Sequence, residues 1–328
     1  MKRILLIQHG AIGDVLMCTP AVRALRKHLP EAEITFLVGN KAFDAVRHNP
    51  NIDKYIVPNS QMNFLKYLIY LFGFVFSKYD IVIDFQQNPR SALITFLTFS
   101  KRRISFTERH RNYAYNIKIR PVDTQIYAAI NKLKLLQPLS INESDDFLPE
   151  LFITDKEKKW AEKLWHGLNF QKQDLIIALS PVSIKSYRLW DPEYFAQICD
   201  FLIDKYQAKI VFTWGPGEFH IIKTIQQKMK NKIEINYKIS NIKQLKAIFE
   251  RSSLFLGNDN GPRHIAITCG IPTIGIFSHL WAAHWTPPEM EKHLVIQPEI
   301  PGIKNLKVET VIEKIEKFME KFQRTQKC

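Results

Sequence analysis

The sequence lacks the short motifs that mark several large enzyme classes. It contains no G-x-x-x-x-G-K-[ST] and no G-x-G-x-x-G, which weighs against a P-loop ATPase and a plain dinucleotide dehydrogenase. It has no H-E-x-x-H and no Asp-x-Asp, and the second absence weighs against a site that holds a divalent metal on substrate phosphates. The four cysteines are scattered without Cys-x-x-Cys spacing, so neither a zinc site nor a disulfide framework is expected, as suits a reducing cytoplasm.

Long apolar runs are also scarce. The longest, 67–76, has ten residues, whereas a helix needs about 20 to span a bilayer. It lies within NFLKYLIYLFGFVFSKYD (63–80), flanked by Lys66 and Lys78. This segment predicts either a buried helix or an interfacial one, and the sequence leaves both alternatives open.

Acidic residues are outnumbered by basic ones. The chain has 46 Lys and Arg against 32 Asp and Glu, a formal net charge of +14. The excess favours an anionic partner such as a nucleotide, a nucleic acid or an acidic membrane, although it also serves solubility alone. With 328 residues, 46% hydrophobic and 24% charged, the chain is expected to form two soluble globular domains.

Short apolar runs alternate with amphipathic segments along the chain, which indicates βαβ units around parallel sheets. The alternation resumes after a charged helix near 155–165. We therefore expect two similar α/β domains, 1–168 and 169–308, and an amphipathic C-terminal helix over 309–328. The predicted strands are Arg3–Gln8, 34–38, 81–85, 174–181, 209–213, 253–257 and 273–277.

Four polar loops follow predicted strands and are candidates for chemistry. HGAIGDVLMCTP (9–20) carries Asp14, and SPVSIKSYRLW (180–190) supplies hydroxyl and basic donors. TWGPGE (213–218) ends at Glu218, which can accept bonds from ribose hydroxyls. LGNDNGPRH (256–264) opens a helix whose backbone N–H groups form an anion site.

Each loop also has a purely structural interpretation. The first and last are compatible with helix caps, the second with a solvated basic loop and the third with an ordinary turn. Together they are more informative, because ligands of open α/β sheets bind at the carboxyl ends of the strands. The pattern predicts a nucleotide diphosphate held by the second domain and a carboxylate, Asp14, facing it from the first.

Three segments strongly resemble the bacterial heptosyltransferase family, the lipopolysaccharide-core ADP-heptose transferases of glycosyltransferase family 9. They are residues 4–38, residues 79–94 with 101–106, and residues 256–277, which contains GND-x-GP-x-H. The resemblance implies a GT-B fold: two Rossmann-like domains with parallel sheets facing across a cleft, and a C-terminal helix that returns to the N-terminal domain. The N-terminal domain would bind the acceptor and the C-terminal domain the nucleotide sugar.

The resemblance also implies residue roles. Asp14 matches the catalytic base, Arg188 takes the place of the lysine that contacts the donor diphosphate, and Asp259 matches the acid near the donor sugar. Glu218 is a looser match to the acid that holds the adenosine ribose. The implied donor-binding residues are Ser183, Lys185, Arg188, Glu218, Asp259, Asn260, Gly261, Pro262 and His264, and the acceptor-side residues are Gly13, Gln86 and Arg90.

The chain departs from the family pattern at several positions. Arg188 replaces a Lys, which keeps the charge but changes its geometry. Gln8 stands where many relatives carry Arg, and Ser278 replaces a common Gly. Arg263 replaces an apolar residue and would place extra positive charge beside the phosphate cradle. These differences bear on donor identity more than on reaction type.

The implied activity is inverting, metal-independent transfer of heptose from ADP-heptose to a lipid A–core acceptor. The chain would need no cofactor or metal and would act as a cytoplasmic monomer, peripherally bound to the inner face of the cytoplasmic membrane. One alternative is a GT-B enzyme with another nucleotide sugar, such as an epimerase. A remoter alternative, a basic nucleic-acid-binding protein, is disfavoured because Lys and Arg are spread along the chain.

Overall fold

The chain divides into two compact units, Met1–Phe152 and Ile153–Cys328. The computed structural model describes residues 1–59, 61–107, 110–120, 125–142, 145–279, 281–289 and 291–326. Each unit is built on one parallel sheet, and each is described separately below.

The first unit contains a six-stranded sheet in the order β3-β2-β1-β4-β5-β6, in which every neighbouring pair is parallel. The predicted strand β1 is confirmed, and its centre is buried from Ile4 to Ile7 because parallel strands are covered on both faces. The strands are β1 (Arg3–Gln8), β2 (Glu33–Val38), β3 (Lys54–Ile56), β4 (Ile81–Asp84), β5 (Arg102–Phe106) and β6 (Ile117–Ile119).

The helices of the first unit occur where apolar residues have helical spacing, and two short ones, instead of a single helix, lie between β1 and β2. The turn after β1 enters a five-residue helix, and a second helix begins at Thr19 with Pro20 in its first turn, where proline is tolerated. The helices are α1 (Ile12–Leu16), α2 (Thr19–His28), α3 (Phe64–Val75), α4 (Pro89–Leu97) and α5 (Ala128–Lys134).

The second unit contains a five-stranded parallel sheet in the order β11-β10-β9-β7-β8. Gly257 is required where β9 passes β7, because a Cβ there would collide with the carbonyl oxygen of Ser180. The strands are β7 (Ile176–Ser180), β8 (Lys209–Phe212), β9 (Leu254–Asn258), β10 (Thr273–Ile276) and β11 (His293–Ile296).

Seven helices are described in the second unit. They are α6 (Asp155–Gly167), α7 (Pro192–Tyr206), α8 (Phe219–Lys228), α9 (Ile242–Phe249), α10 (Gly261–Thr268), α11 (Ala282–Trp285) and α12 (Val308–Gln326). The sequence predicts a first domain that extends to residue 168 and includes helix α6. Helix α6 instead packs on α9 and belongs to the second unit, so the division lies after Phe152.

The C-terminal helix α12 packs on α7 and β11 of its own unit. Its buried stripe contains Val311, Ile315 and Met319, as the amphipathic spacing predicts. The expected return of this helix to the N-terminal domain stays a prediction.

Helix α3 has features of both the buried and the interfacial helix that the sequence left open. Leu71 and Phe74 are buried against the sheet, whereas Leu65, Ile69 and Phe72 are exposed. None of the helices over the described residues is both long and apolar enough to cross a membrane.

Candidate active site

The strand order places the first candidate site where ligands bind in such sheets. Successive crossovers run in opposite directions on either side of the β1–β4 pair, which leaves a crevice at the carboxyl ends of those strands. Asp14 follows β1 as the third residue of α1, and Gln86 follows β4. Asp14 is half-buried.

Three polar side chains converge over Gly10 at this crevice. A Cβ on Gly10 would lie 2.7 Å from Gln8 Nε2, 3.0 Å from Gln86 Oε1 and 3.2 Å from Asp14 Oδ2. Glycine therefore leaves the space in which these groups meet. The helix-cap interpretation of Asp14 is wrong, because Ala11 occupies the N-cap position and Asp14 lies inside the first turn.

A lysine that sequence reasoning missed completes this cluster. Lys132 Nζ donates to Gln8 Oε1 at 3.1 Å, and Gln8 Nε2 donates to Gln86 Oε1 at 2.8 Å. The ammonium of Lys132 also lies 5.4 Å from the centre of the Phe85 ring. Lys132 is 124 positions from Gln8, and no local pattern in the sequence links them.

Asp84 fixes the loop that carries Gln86. Its fully buried carboxylate accepts hydrogen bonds from the backbone N–H groups of Gln86 and Gln87, at 2.9 and 3.1 Å, and from the Tyr115 hydroxyl at 2.7 Å. Burial raises the pKa of Asp84 above its ordinary value, although these hydrogen bonds oppose the rise. Asp84 positions Gln86 and was not among the predicted site residues.

The other predicted acceptor-side residues occupy different places. Gly13 is buried within α1. Arg90 is exposed in the first turn of α4, with its guanidinium carbon 5.7 Å from the centre of the Tyr67 ring. Burial and the charge of Arg90 lower the pKa of His9 to about 4. Arg90 is therefore a cation at the surface beside α3.

The second unit has an equivalent crevice between β7 and β9. Arg188, at the end of a short 3-10 turn after β7, and Asp259, directly after β9, meet there, with Arg188 Nη1 2.8 Å from Asp259 Oδ2. Asp259 is only 2% exposed. Burial acts to raise the pKa of Asp259, but a hydrogen bond from His279 and the neighbouring positive charges lower it below its ordinary value.

His279 is a further member of this cluster that was not predicted as a site residue. Its Nδ1 accepts from the backbone N–H of Trp281 at 3.1 Å, and its Nε2 lies 3.2 Å from Asp259 Oδ2. Because Nδ1 is the acceptor, the ring proton lies on Nε2 and is donated to the carboxylate. Asp259 is thus held from two sides.

Asn260 joins the two loops of this crevice. Its side-chain oxygen caps α10 by accepting from Arg263 N at 3.2 Å, and its Nδ2 donates to Val182 O at 2.7 Å and Ser180 Oγ at 3.2 Å. Gly261 and Pro262 form the first turn of α10, as predicted. The half-buried start of α10 follows Asp259 directly in the chain, and Arg188 contacts the same carboxylate.

Arg263, which the sequence predicts to place extra positive charge beside the phosphate cradle, is held in the interior of the second unit, and its charge helps to lower the pKa of Asp259. Its fully buried guanidinium donates to Trp285 O and Thr286 Oγ1, each at 3.0 Å, and lies over the Phe277 ring. Gly275 leaves space for the Arg263 side chain, since a Cβ at residue 275 would be 2.6 Å from Arg263 Nε. Arg263 is a packing residue of the second unit.

His264, one residue further along α10, is buried and neutral. Burial lowers its pKa to about 4, with Arg263 and Arg188 acting in the same direction and Asp259 against it. Its Nδ1 has no hydrogen-bond partner among the described residues. A bound anion would supply one and would favour the protonated ring.

Acid should destabilise the second unit through His264. The unfolded chain binds a proton there below pH 6.5, whereas the folded chain does so only below about 4. Stability should therefore fall as pH drops through this window, by up to about 3 kcal/mol from this residue.

Urea unfolding at several pH values, followed by tryptophan fluorescence, measures this effect, because all six tryptophans lie in the second unit. The variant His264→Asn should lose part of the slope and keep the share of His293, whose pKa is lowered to about 3 by burial. Equal slopes for the two proteins would contradict the prediction.

The remaining predicted donor residues lie on the rims of the crevice. Ser183 Oγ accepts from the backbone N–H of Lys185, whose side chain is exposed. Glu218 turns back on its own loop, where its Oε2 accepts from Gly215 N at 2.7 Å. That bond fixes the TWGPGE turn. In the described parts of the chain, no three His, Cys, Asp or Glu side chains form a potential metal site.

Comparison with known proteins identifies the family. The sequence profile of glycosyltransferase family 9 (heptosyltransferase) matches residues 75–316. The chain belongs to glycosyltransferase family 9. This heptosyltransferase-family protein is therefore a glycosyltransferase, and the resemblance seen in its motifs is confirmed.

Curated relatives of this family 9 protein are heptosyltransferases by name. The lipopolysaccharide core heptosyltransferase OpsX of Haemophilus influenzae is 23% identical over 85% of this chain and 79% of its own length. Lipopolysaccharide heptosyltransferase 3 of Escherichia coli K12 is 25% identical over 84% of this chain and 82% of its own. These relationships support heptose transfer in lipopolysaccharide synthesis as the general activity.

Solved structures confirm the GT-B fold class of this family 9 chain. A glycosyl transferase family 9 protein from Veillonella parvula matches with a TM-score of 0.83 and 21% identity, covering 97% of both chains. E. coli heptosyltransferase WaaC with ADP matches with a TM-score of 0.73 and 17% identity, covering 97% of this chain and 98% of its own.

Proposed function

We propose that the protein transfers heptose from ADP-heptose to the inner core of lipopolysaccharide or lipooligosaccharide, with inversion at the anomeric carbon and without a metal. The observation that carries the proposal is the Arg188–Asp259 pair beside the start of α10. It sets a fixed cation beside the N-terminal end of a helix, an arrangement suited to a diphosphate.

The donor would lie on the second unit. Arg188 and the first turn of α10, at Asn260, Gly261 and Pro262, would bind the diphosphate, and His264 would contact it from within the helix. Ser183 and Lys185 would add donors at the rim. That a related heptosyltransferase structure is of a complex with ADP supports an adenine nucleotide as the leaving group.

The transfer is a single displacement in this proposal. An acceptor hydroxyl oxygen forms a bond to the anomeric carbon while the bond from that carbon to the diphosphate oxygen breaks. The electron pair leaves with ADP, and the hydroxyl proton passes to the Asp14 carboxylate. Attack from the face opposite the diphosphate inverts the configuration.

Protein groups would replace a metal in stabilising the departing diphosphate. Arg188 and the positive end of α10 are fixed before the reaction, so they need little rearrangement as charge develops. Asp259, the buried carboxylate nearest to them, already has Oδ2 engaged by Arg188 and His279. Its role would be to orient these two groups around the donor sugar.

A donor panel tests the proposal directly. Purified protein is mixed with lipid A–core acceptors that carry no heptose, one heptose or two heptoses, and with ADP-heptose, UDP-, GDP- or other ADP-sugars, and the product is identified by mass spectrometry. Transfer is expected from ADP-heptose alone, and the lipid A–core of a deletion strain should lack one heptose. Transfer from a different nucleotide sugar, or epimerisation without transfer, would overturn the donor assignment.

We also propose that the enzyme acts as a monomer in the cytoplasm, peripherally bound to the inner face of the cytoplasmic membrane. The net charge of +14 and a lipid-anchored anionic acceptor support this location.

A further inference from the structure

Helix α3 has apolar side chains on both its inner and its outer face, and Lys66 is its one charged residue. Its inner face contributes Leu71 and Phe74 to a core cluster of the first unit. Its outer face and the residue just after it expose large side chains, which is unusual for a helix that packs on only one side. The exposed residues are Phe64, Leu65, Leu68, Ile69, Phe72 and Phe76.

A second group of exposed apolar residues lies at the C-terminal end of α4, the helix that packs against α3. Phe96 contacts Phe99 and Tyr113 there, with ring centres 5.9 Å apart in both pairs. All three rings are exposed. We call α3 and this trio the α3–α4 apolar surface.

Positive charge borders this surface. Residues 57–107 contain six Lys and Arg but only two Asp, of which Asp84 is buried. Lys66, Lys78, Lys101 and Arg102 are all exposed. Apolar side chains rimmed by basic ones match a bilayer interface that carries anionic headgroups.

The surface also adjoins the acceptor-side residues of the same unit. Arg90, in the first turn of α4, lies over Tyr67 of α3. The loop that leads into α4 carries Gln86, which meets Asp14 over Gly10. The start of α4 and the loop before it thus link α3 to the residues around Asp14.

We propose that the α3–α4 apolar surface docks on an anionic lipid bilayer, with α3 lying in the interface plane, and that this docking presents the lipid-linked acceptor to Asp14. The second statement rests on the proposed function, whereas the first does not. The twelve residues of α3 are about 18 Å long, too short to span the bilayer, so the helix enters sideways.

The test uses a matched pair of surface isoleucines in the full-length protein. Ile69 on α3 is 64% exposed and Ile300 in the second unit is 71% exposed, so Glu should be tolerated at both without unfolding. Flotation with vesicles of phosphatidylglycerol and phosphatidylcholine should show that Ile69→Glu binds at least about tenfold more weakly than wild type and Ile300→Glu does not. Leu65→Glu serves as a second variant of the same face.

Three results would overturn the docking surface: vesicle binding by Ile69→Glu and Leu65→Glu equal to wild type, wild-type binding that ignores salt and anionic lipid, or a wild-type dimer that Ile69→Glu dissociates. The last result would assign the face to a second copy of the chain.

Activity separates this proposal from the proposed function. Ile69→Glu should transfer sugar normally to a deacylated, water-soluble acceptor and poorly to the same acceptor in vesicles. Equal transfer to both acceptors would refute presentation of the acceptor. A wild-type protein that binds vesicles but modifies neither acceptor would refute the proposed function alone.

Discussion

Replacing Asp14 with Asn should lower kcat for sugar transfer by about 10²–10⁴-fold while the affinity for ADP stays within about twofold of wild type. Asn retains the size of Asp but cannot take the hydroxyl proton. The proposed ADP-binding residues belong to the second unit, whereas Asp14 belongs to the first. Initial rates of ADP release and quenching of tryptophan fluorescence by ADP measure the two quantities.

A carboxylate elsewhere in the first unit provides the control. Asp44 is half-buried and lies 3.9 Å from Arg47 in a local ion pair, so Asp44→Asn should leave both quantities unchanged. If Asp14→Asn transfers sugar at a rate close to wild type, Asp14 is not the base. If it loses ADP binding as well, its role is structural.

Replacing Arg188 with Ala should lower kcat/KM for the donor by about 10–100-fold, because hydrogen bonds to charged groups contribute about 1.5–3 kcal/mol. The loss should appear in ADP affinity too, since the diphosphate is present in both ADP and the donor. Arg188→Lys should recover part of it by keeping the charge, although it loses the planar fork of donors. Donor titrations of the three proteins give the comparison.

Arg251→Ala is a suitable companion, because Arg251 is an exposed arginine of the second unit with no proposed role in donor binding. Its kinetics should match wild type. Unchanged donor kinetics in Arg188→Ala would place the diphosphate elsewhere, and an unfolded second unit would show that the Asp259 pair is needed for folding. Tryptophan fluorescence distinguishes these two results.

The sequence predicted the central strands well and the peripheral ones poorly. Arg3–Gln8 is buried on both faces, so its apolar run is unambiguous. Strands β3 (Lys54–Ile56) and β6 (Ile117–Ile119) have three residues each and mixed polarity, and they pair at sheet edges. Such short strands form because a neighbour offers hydrogen bonds, which no local pattern reveals.

The residues of the candidate site also differ in how well the sequence predicts their places. Asp14 and Asp259 follow central strands, so their places at the sheet edges could be predicted. Lys132 reaches its cluster from helix α5, 124 positions from Gln8, so only the folded chain brings it there. His279 follows β10, the neighbour of β9, and the sheet edge therefore brings it close to Asp259. The side chain of Glu218 makes a local bond that composition does not distinguish from ligand binding.

The hydrogen bonds of Asn260 fix one part of the crevice between β7 and β9 and leave the exposed residues beside it without such a constraint. Asn260 donates to Ser180 and Val182 and caps α10, so it links the loop after β7 to the loop after β9. Residues 184–187 are exposed, so substitutions of their side chains should cost little stability. Lys185 O accepts a hydrogen bond from the backbone N–H of Arg188, and the Tyr187 ring lies 5.6 Å from the Arg188 guanidinium carbon. Substitutions in 184–187 are therefore expected to act on donor binding through Arg188, while the loops joined by Asn260 keep their shape.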